Sequence, residues 1–175
     1  MSLGHIMEGQ GLPQTTKGYG LGADEGEALW FNGALVLVKA TAQQTEGRFT
    51  VVEFVAPKGV AAPLHVHREE DEFFVVLDGE VRFQLGEAVI EGSPGTLVYG
   101  PRDVGHSFRV DSQEARLLLL LGPAGVDGFF REGGKPARSR SIPPQSEQFP
   151  DPKLLGEIGS RYGQNIVGPP LGPKG

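Results

Sequence analysis

Short β-branched and aliphatic runs, each ended by a turn bearing glycine or a polar cluster, recur along the middle of this chain. Ala34–Ala40 and Phe49–Val55 are rich in Val and Leu and are separated by a polar turn containing Gly47, a composition that suits pleated, buried strands. Leu64–His67 and Glu72–Leu77 follow as shorter runs. In Glu80–Leu85 the residues Val81, Phe83 and Leu85 share one face, and Gly86 with Glu87 turns the chain into Ala88–Ile90. Thr96–Tyr99, His106–Val110 and Ala115–Leu121 complete a series of nine or ten strands. Such spacing predicts an all-β sandwich or barrel of antiparallel strands. With 27 glycines and 14 prolines, the chain carries too many breaks for a helix bundle.

The flanks read differently. Residues 8–28 are polar and glycine-rich, and residues 1–28 are expected to be a flexible arm. A second methionine, Met7, marks residues 1–6 as a cloning remnant, so His5 stays outside the functional argument. The barrel is expected over 29–122 and a C-terminal extension over 123–175. Within that extension Val126–Glu132 suits a short helix, and 133–150 reads as a proline-bearing surface loop. Asp151 followed by Pro152 is a helix start, with the helix running to about Tyr162 and stopping at Gly163. The Gly/Pro-rich tail from Gly168 is expected to fray.

Several function classes fall away. A net charge of −6 lacks the basic face a nucleic-acid binder needs. The absence of cysteine excludes disulfide scaffolds, thiolate metal sites and cysteine nucleophiles. No apolar run nears the roughly 18 residues of a membrane span, and the first residues lack the basic and apolar regions of a signal peptide. The expected location is the cytoplasm.

Chemistry concentrates in three histidines. His65 and His67 are two apart, so a strand puts both imidazoles on one face. Glu72 follows after a gap that allows a tight turn and a return strand, bringing its carboxylate beside them. His106 opens a later strand. Three imidazoles and a carboxylate suit a first-row divalent metal, although taken alone they could also be histidines beside an acidic loop. Glu69, Glu70 and Asp71 read as a solvated turn.

The spacing then carries a family resemblance. Gly59, His65, His67, Glu72 and Gly79 match the first motif of the cupins at every defined position, and Gly95, Pro101 and His106 resemble the second. Asp103 stands where the family usually has glycine, and Val110 where it often has asparagine. The resemblance implies a single cupin β-barrel (a double-stranded β-helix, or jelly roll). It implies one divalent first-row ion (Fe, Mn, Ni, Co, Cu or Zn) held by His65, His67, Glu72 and His106 with open positions for substrate. Phe74 and Val76 should point inward with Glu72, and Phe108 and Val110 with His106, as pocket lining or as core filling.

Among cupins the chain looks most like single-domain bacterial proteins similar to quercetin 2,3-dioxygenase. The arm, Ala56–Gly59 and Phe129-Phe130 carry that similarity. It implies a metal-dependent dioxygenase acting with dioxygen on a small, flavonol-like aromatic substrate, with Glu72 as both ligand and catalytic base. The alternatives are a cupin isomerase or lyase on a small polar metabolite, or a non-catalytic metal or ligand binder. By analogy a homodimer is expected, with the arm adding a strand to its partner. Gly18–Ala23 fits a loose dinucleotide fingerprint but has no strand before it. Trp30 reads as a core or interface anchor, and Arg138 and Arg140 as solubilising.

Overall fold

The computed structural model describes residues 11–14 and 17–175. The supposed remnant, His5 and the first part of the arm lie outside the described residues. In chain order the strands are β1 (Glu27–Phe31), β2 (Ala34–Ala40), β3 (Thr50–Pro57), β4 (Leu64–His67), β5 (Asp71–Asp78) and β6 (Val81–Leu85). They continue with β7 (Ala88–Gly92), β8 (Leu97–Gly100), β9 (His106–Val110), β10 (Glu114–Gly122), β11 (Lys135–Pro136) and β12 (Gln164–Gly168). The helices are α1 (Ala42–Thr45), α2 (Asp127–Gly133) and α3 (Pro152–Arg161). Two antiparallel sheets form a cupin jelly roll, one ordered β11-β1-β2-β3-β10-β5-β8 and the other β12-β4-β9-β6-β7.

Period-two patterning produces the layers. On β10 the alternate residues Ala115, Leu117, Leu119 and Leu121 are buried and face the core, while their neighbours are partly exposed. Burying each Leu contributes roughly 1.5–3 kcal/mol relative to leaving it in water. Phe83 and Val81 of β6 meet them from the opposite sheet.

Strand β2 is buried on both faces. Ala34, Val36 and Val38 enter the main core, whereas Leu35 and Leu37 join Trp30 and Val55 in a second cluster on the outer side. Residues 134–150 run over the surface as a mostly irregular segment and also cover that cluster. Ala137, Ile142 and Phe149 pack on it, the Trp30 indole N–H donates to Ser141 O at 2.8 Å, and Arg138 lies over the Trp30 ring. Arg138 also pairs with Glu147, and Arg140 donates to the carbonyls of Asp24 and Gly26. Both arginines therefore clamp this cover, and Trp30 is an anchor within the chain.

The described part of the arm is likewise fastened to its own chain. Tyr19 Oη donates to Lys39 O, and Lys39 Nζ donates to the carbonyls of Gly22, Ala23 and Glu25. The Gly18–Ala23 glycines thus form a strap on β2. The tail does not fray: Arg109 and Arg82 hold the carbonyls of Leu171 and Gly172, and Lys174 pairs with Glu91.

Two helices follow the sequence signals closely. In α3 the Asp151 carboxylate accepts from Leu154 N–H, Pro152 opens the first turn, and the helix ends before Gly163. Helix α2 begins one residue later than expected. The polar turn before β3 holds the one-turn helix α1, where Thr41 Oγ1 accepts from Gln43 N–H and Gln44 caps back onto Thr41 N–H. Beyond the expected strands, β1 reaches back to Glu27, and the extension supplies β11 to one sheet and β12 to the other. Among the described residues no helix is long and apolar enough to cross a membrane.

Candidate metal centre

Four side chains converge inside the barrel. His65 and His67 leave β4 on its inner face, His106 stands opposite His65 in register on β9, and Glu72 enters from β5 of the facing sheet. One potential ligand atom from each lies within 4.8 Å of the other three. The His65 and His106 ring centroids are 4.6 Å apart, and the His67 and His106 rings stack at 5.3 Å. Gly100 leaves room for this: a Cβ there would sit 3.2 Å from His106 Nδ1.

The tautomers are set from behind. His65 Nδ1 lies 2.8 Å from Pro63 O, and His106 Nδ1 lies 2.9 Å from Val104 O. Carbonyls only accept, so both Nδ1 atoms carry protons, and both rings present Nε2 to the cluster. Glu72 Oε2 lies 3.0 Å from His106 Nε2 and 3.2 Å from His67 Nε2. His67 is buried, and neither of its ring nitrogens makes a well-formed hydrogen bond.

Charge is strongly perturbed here. Burial, reinforced by the neighbouring His106, pushes the His65 imidazole down to about 4. Burial also opposes charge on His67, but the carboxylates of Glu70 and Glu72 together outweigh it and raise the ring to about 9. Burial likewise resists ionisation of Glu72, and the hydrogen bond with His106 together with the adjacent His67 ring overcomes it, holding the carboxyl well below its usual range. Three imidazoles and a carboxylate, with both nitrogens of the buried His67 ring lacking a hydrogen-bond partner, fit a divalent cation. The cluster is able to hold a metal ion.

A cavity of about 370 Å³ opens onto His65, His67 and Glu72. Phe74 and Phe108 stand in its wall, as the alternation predicts, joined by Phe54 and Phe31. Val76 and Val110 are not among the lining residues. They point inward on the same strands but lie further along them, where they are 1% exposed and packed in the core. Alternation sets the face, not the depth.

The sequence reading missed the outer wall. Phe129 and Phe130 of α2, Leu155, Gly156 and Gly159 of α3, and Gln164 and Ile166 of β12 close the barrel mouth. Strand β12 pairs with β4 so that Gln164 faces His67 and Ile166 faces His65. A five-residue strand directly after a helix stop has no alternation long enough to announce it. Glu70 was also missed: it is 6% exposed, although Glu69 and Asp71 on either side of it are more open.

The substitution at Asp103 keeps the loop shape. Its φ is +62°, the left-handed region where glycine is usual and Asp is among the best-tolerated alternatives. Its N–H donates to His67 O at 2.8 Å, fastening the second motif to the first.

A two-sheet jelly roll with paired histidines on one strand, a glutamate across the barrel and a third histidine in register defines a cupin. Residues 51–121 match the cupin domain, and the barrel of this chain is a cupin domain. It is 31% identical over 140 residues to quercetin 2,3-dioxygenase of Bacillus subtilis (strain 168), covering 79% of this chain and 42% of that protein. The chain thus spans less than half the length of that relative. Among solved structures, KdgF from Halomonas sp. superposes with a TM-score of 0.50 at 19% identity, over 54% of this chain and 83% of its own. An RmlC-like cupin from Shewanella frigidimarina gives 0.50 at 18% identity, over 57% and 86%. At these identities the two structures speak for the fold alone.

Proposed function

We propose that the protein is a metal-dependent dioxygenase acting on a small, flat, aromatic substrate of the flavonol type. In this reading His65, His67, Glu72 and His106 hold one divalent first-row transition ion. The observation that carries it is the cavity, an aromatic slot whose titratable lining is confined to His65, His67 and Glu72 among the described residues. The Bacillus subtilis relative supports the choice of reaction.

A bound ion would act as a Lewis acid toward oxygen donors and hold two reactants together. The chain's own residues do the rest. Phe54, Phe74 and Phe108 stack against a planar ring and exclude water. Glu72 faces the cavity and takes the proton of a substrate hydroxyl. Gln164 offers an amide to a substrate oxygen at the outer wall. An isomerase or lyase on a polar metabolite would need charged wall residues besides Glu72, and the described lining has none.

The test is oxygen uptake with quercetin after stripping the protein and reloading it with Fe, Mn, Co, Ni, Cu or Zn. Uptake that appears with one or more of these ions and stays absent from stripped protein supports the reading. Quercetin binding without uptake at any confirmed loading removes the dioxygenase and leaves a ligand binder. For Gln164→Leu, loss of one net hydrogen bond of about 0.5–1.5 kcal/mol should raise KM roughly two- to thirteenfold with little change in kcat. An unchanged KM takes Gln164 out of the substrate contact.

A further inference from the structure

Each of the three histidines must settle its second nitrogen, and one does so differently. His65 and His106 present Nδ1 to a main-chain carbonyl two residues back, at 2.8 and 2.9 Å. For His67, the charged partner at Nδ1 is Glu70, whose Oε2 lies 3.5 Å away. Both atoms are buried, and neither has a hydrogen bond elsewhere. No Lys or Arg among the described residues pairs with Glu70. An isolated buried carboxylate is costly, so its place beside Nδ1 calls for an explanation.

The surroundings hold Glu70 where it is. It closes the turn between β4 and β5, and the neighbouring Arg68 N–H donates to Gly163 O at 3.0 Å. The carboxylate fits a slot edged by two glycines: a Cβ at Gly163 would come 3.6 Å from Oε2, and one at Gly125 would come 3.9 Å from Oε1. Larger side chains at those positions would press on it.

We propose that Glu70 is a positioning residue for the metal centre: it accepts the Nδ1 proton of His67, fixes the ring with Nε2 toward the cluster, and makes that nitrogen a stronger donor. The inference rests on the reading that the cluster holds a divalent cation. Charge supports it independently of geometry, because Glu70 and Glu72 together carry two negative charges, which a doubly charged ion balances. A carboxylate behind a ligating imidazole raises the basicity of the ring, and losing such a partner typically weakens metal affinity about 10–100-fold.

The experiment measures Co²⁺ and Zn²⁺ dissociation constants by competition with a chromophoric chelator, for wild type, Glu70→Gln and Glu70→Leu. Metal-free melting temperatures are recorded alongside. The expected order of affinity is Glu, then Gln, then Leu, with Gln weaker than wild type by about tenfold and Leu by up to about 100-fold. A purely structural role would lower the melting temperature and leave affinity unmoved. Nitrogen-15 spectra of the wild-type histidines provide a second measurement that needs no variant. In the Zn²⁺-loaded protein all three rings should carry their proton on Nδ1. Wild type that binds, with both variants within twofold of it, overturns the role of Glu70 alone, as does a deprotonated Nδ1 on His67. Wild type that binds neither ion overturns this inference together with the reading beneath it.

Discussion

Replacing His106 by alanine should abolish stoichiometric metal uptake while the barrel still folds. The ring stands in register with His65 on the adjacent strand, stacks on His67 and lies 3.0 Å from Glu72. It therefore touches all three other members of the cluster, and no other described side chain can replace its Nε2. Losing a partner behind a ligand already costs about 10–100-fold in affinity, so losing the ligand itself should exceed roughly 100-fold. Metal content after dialysis against micromolar Zn²⁺ should fall from one equivalent to near zero. The fold survives because His106 closes no strand pairing by its side chain. The variant does leave Glu72 buried with one hydrogen bond fewer, at a cost of about 1–3 kcal/mol, or a few degrees in the melting temperature. A full equivalent of metal retained by a folded variant would sink the ligand assignment.

What could be read in advance followed from periods and spacings. On β6 a two-residue period marked which side chains face the core, and the same period put His65 and His67 on one face, whereas the five consecutive leucines of β10 carry no such alternation. The turn before Glu72 was short enough to bring its carboxylate back, and it does so from the facing sheet. Depth, by contrast, depends on where the barrel stops being filled. Phe74 and Val76 are indistinguishable by alternation, yet only Phe74 reaches the cavity. Burial supplied by distant segments was equally illegible. Leu35 and Leu37 looked like parts of a buried strand, but nothing in Ala34–Ala40 said that residues 134–150 would cover them. Glu70 lay inside a run of four acidic residues, where only the tertiary contacts with His67, Gly125 and Gly163 mark it out.

The largest stability effect is expected at Gly79, and Gly47 supplies its control. The two share a backbone conformation, with φ of +83° and +80°, so alanine at either position meets the same left-handed strain of about 1–3 kcal/mol. Their surroundings differ. A Cβ at Gly47 would meet nothing within 4 Å, whereas one at Gly79 would come 2.4 Å from Glu114 O and 2.8 Å from Ala115 Cα. Both of those atoms are backbone, and no rotamer change moves them aside. That backbone also supports the turn, since Ser112 Oγ accepts from Glu80 N–H and Asp111 N–H donates to Glu80 O. Relief of the clash must therefore separate the β5–β6 turn from the start of β10. Gly79→Ala should cost about 3–5 kcal/mol, as backbone strain and overpacking act together, and lower the melting temperature by roughly 10 °C for a chain of this size. Gly47→Ala should lose only the strain, a few degrees. Equal melting temperatures for the two variants would mean that the turn moves freely. The motif glycine would then be needed for its φ alone, and the close approach of β5–β6 to β9–β10 would not help to hold Glu72 and His106 on opposite sheets at hydrogen-bonding distance.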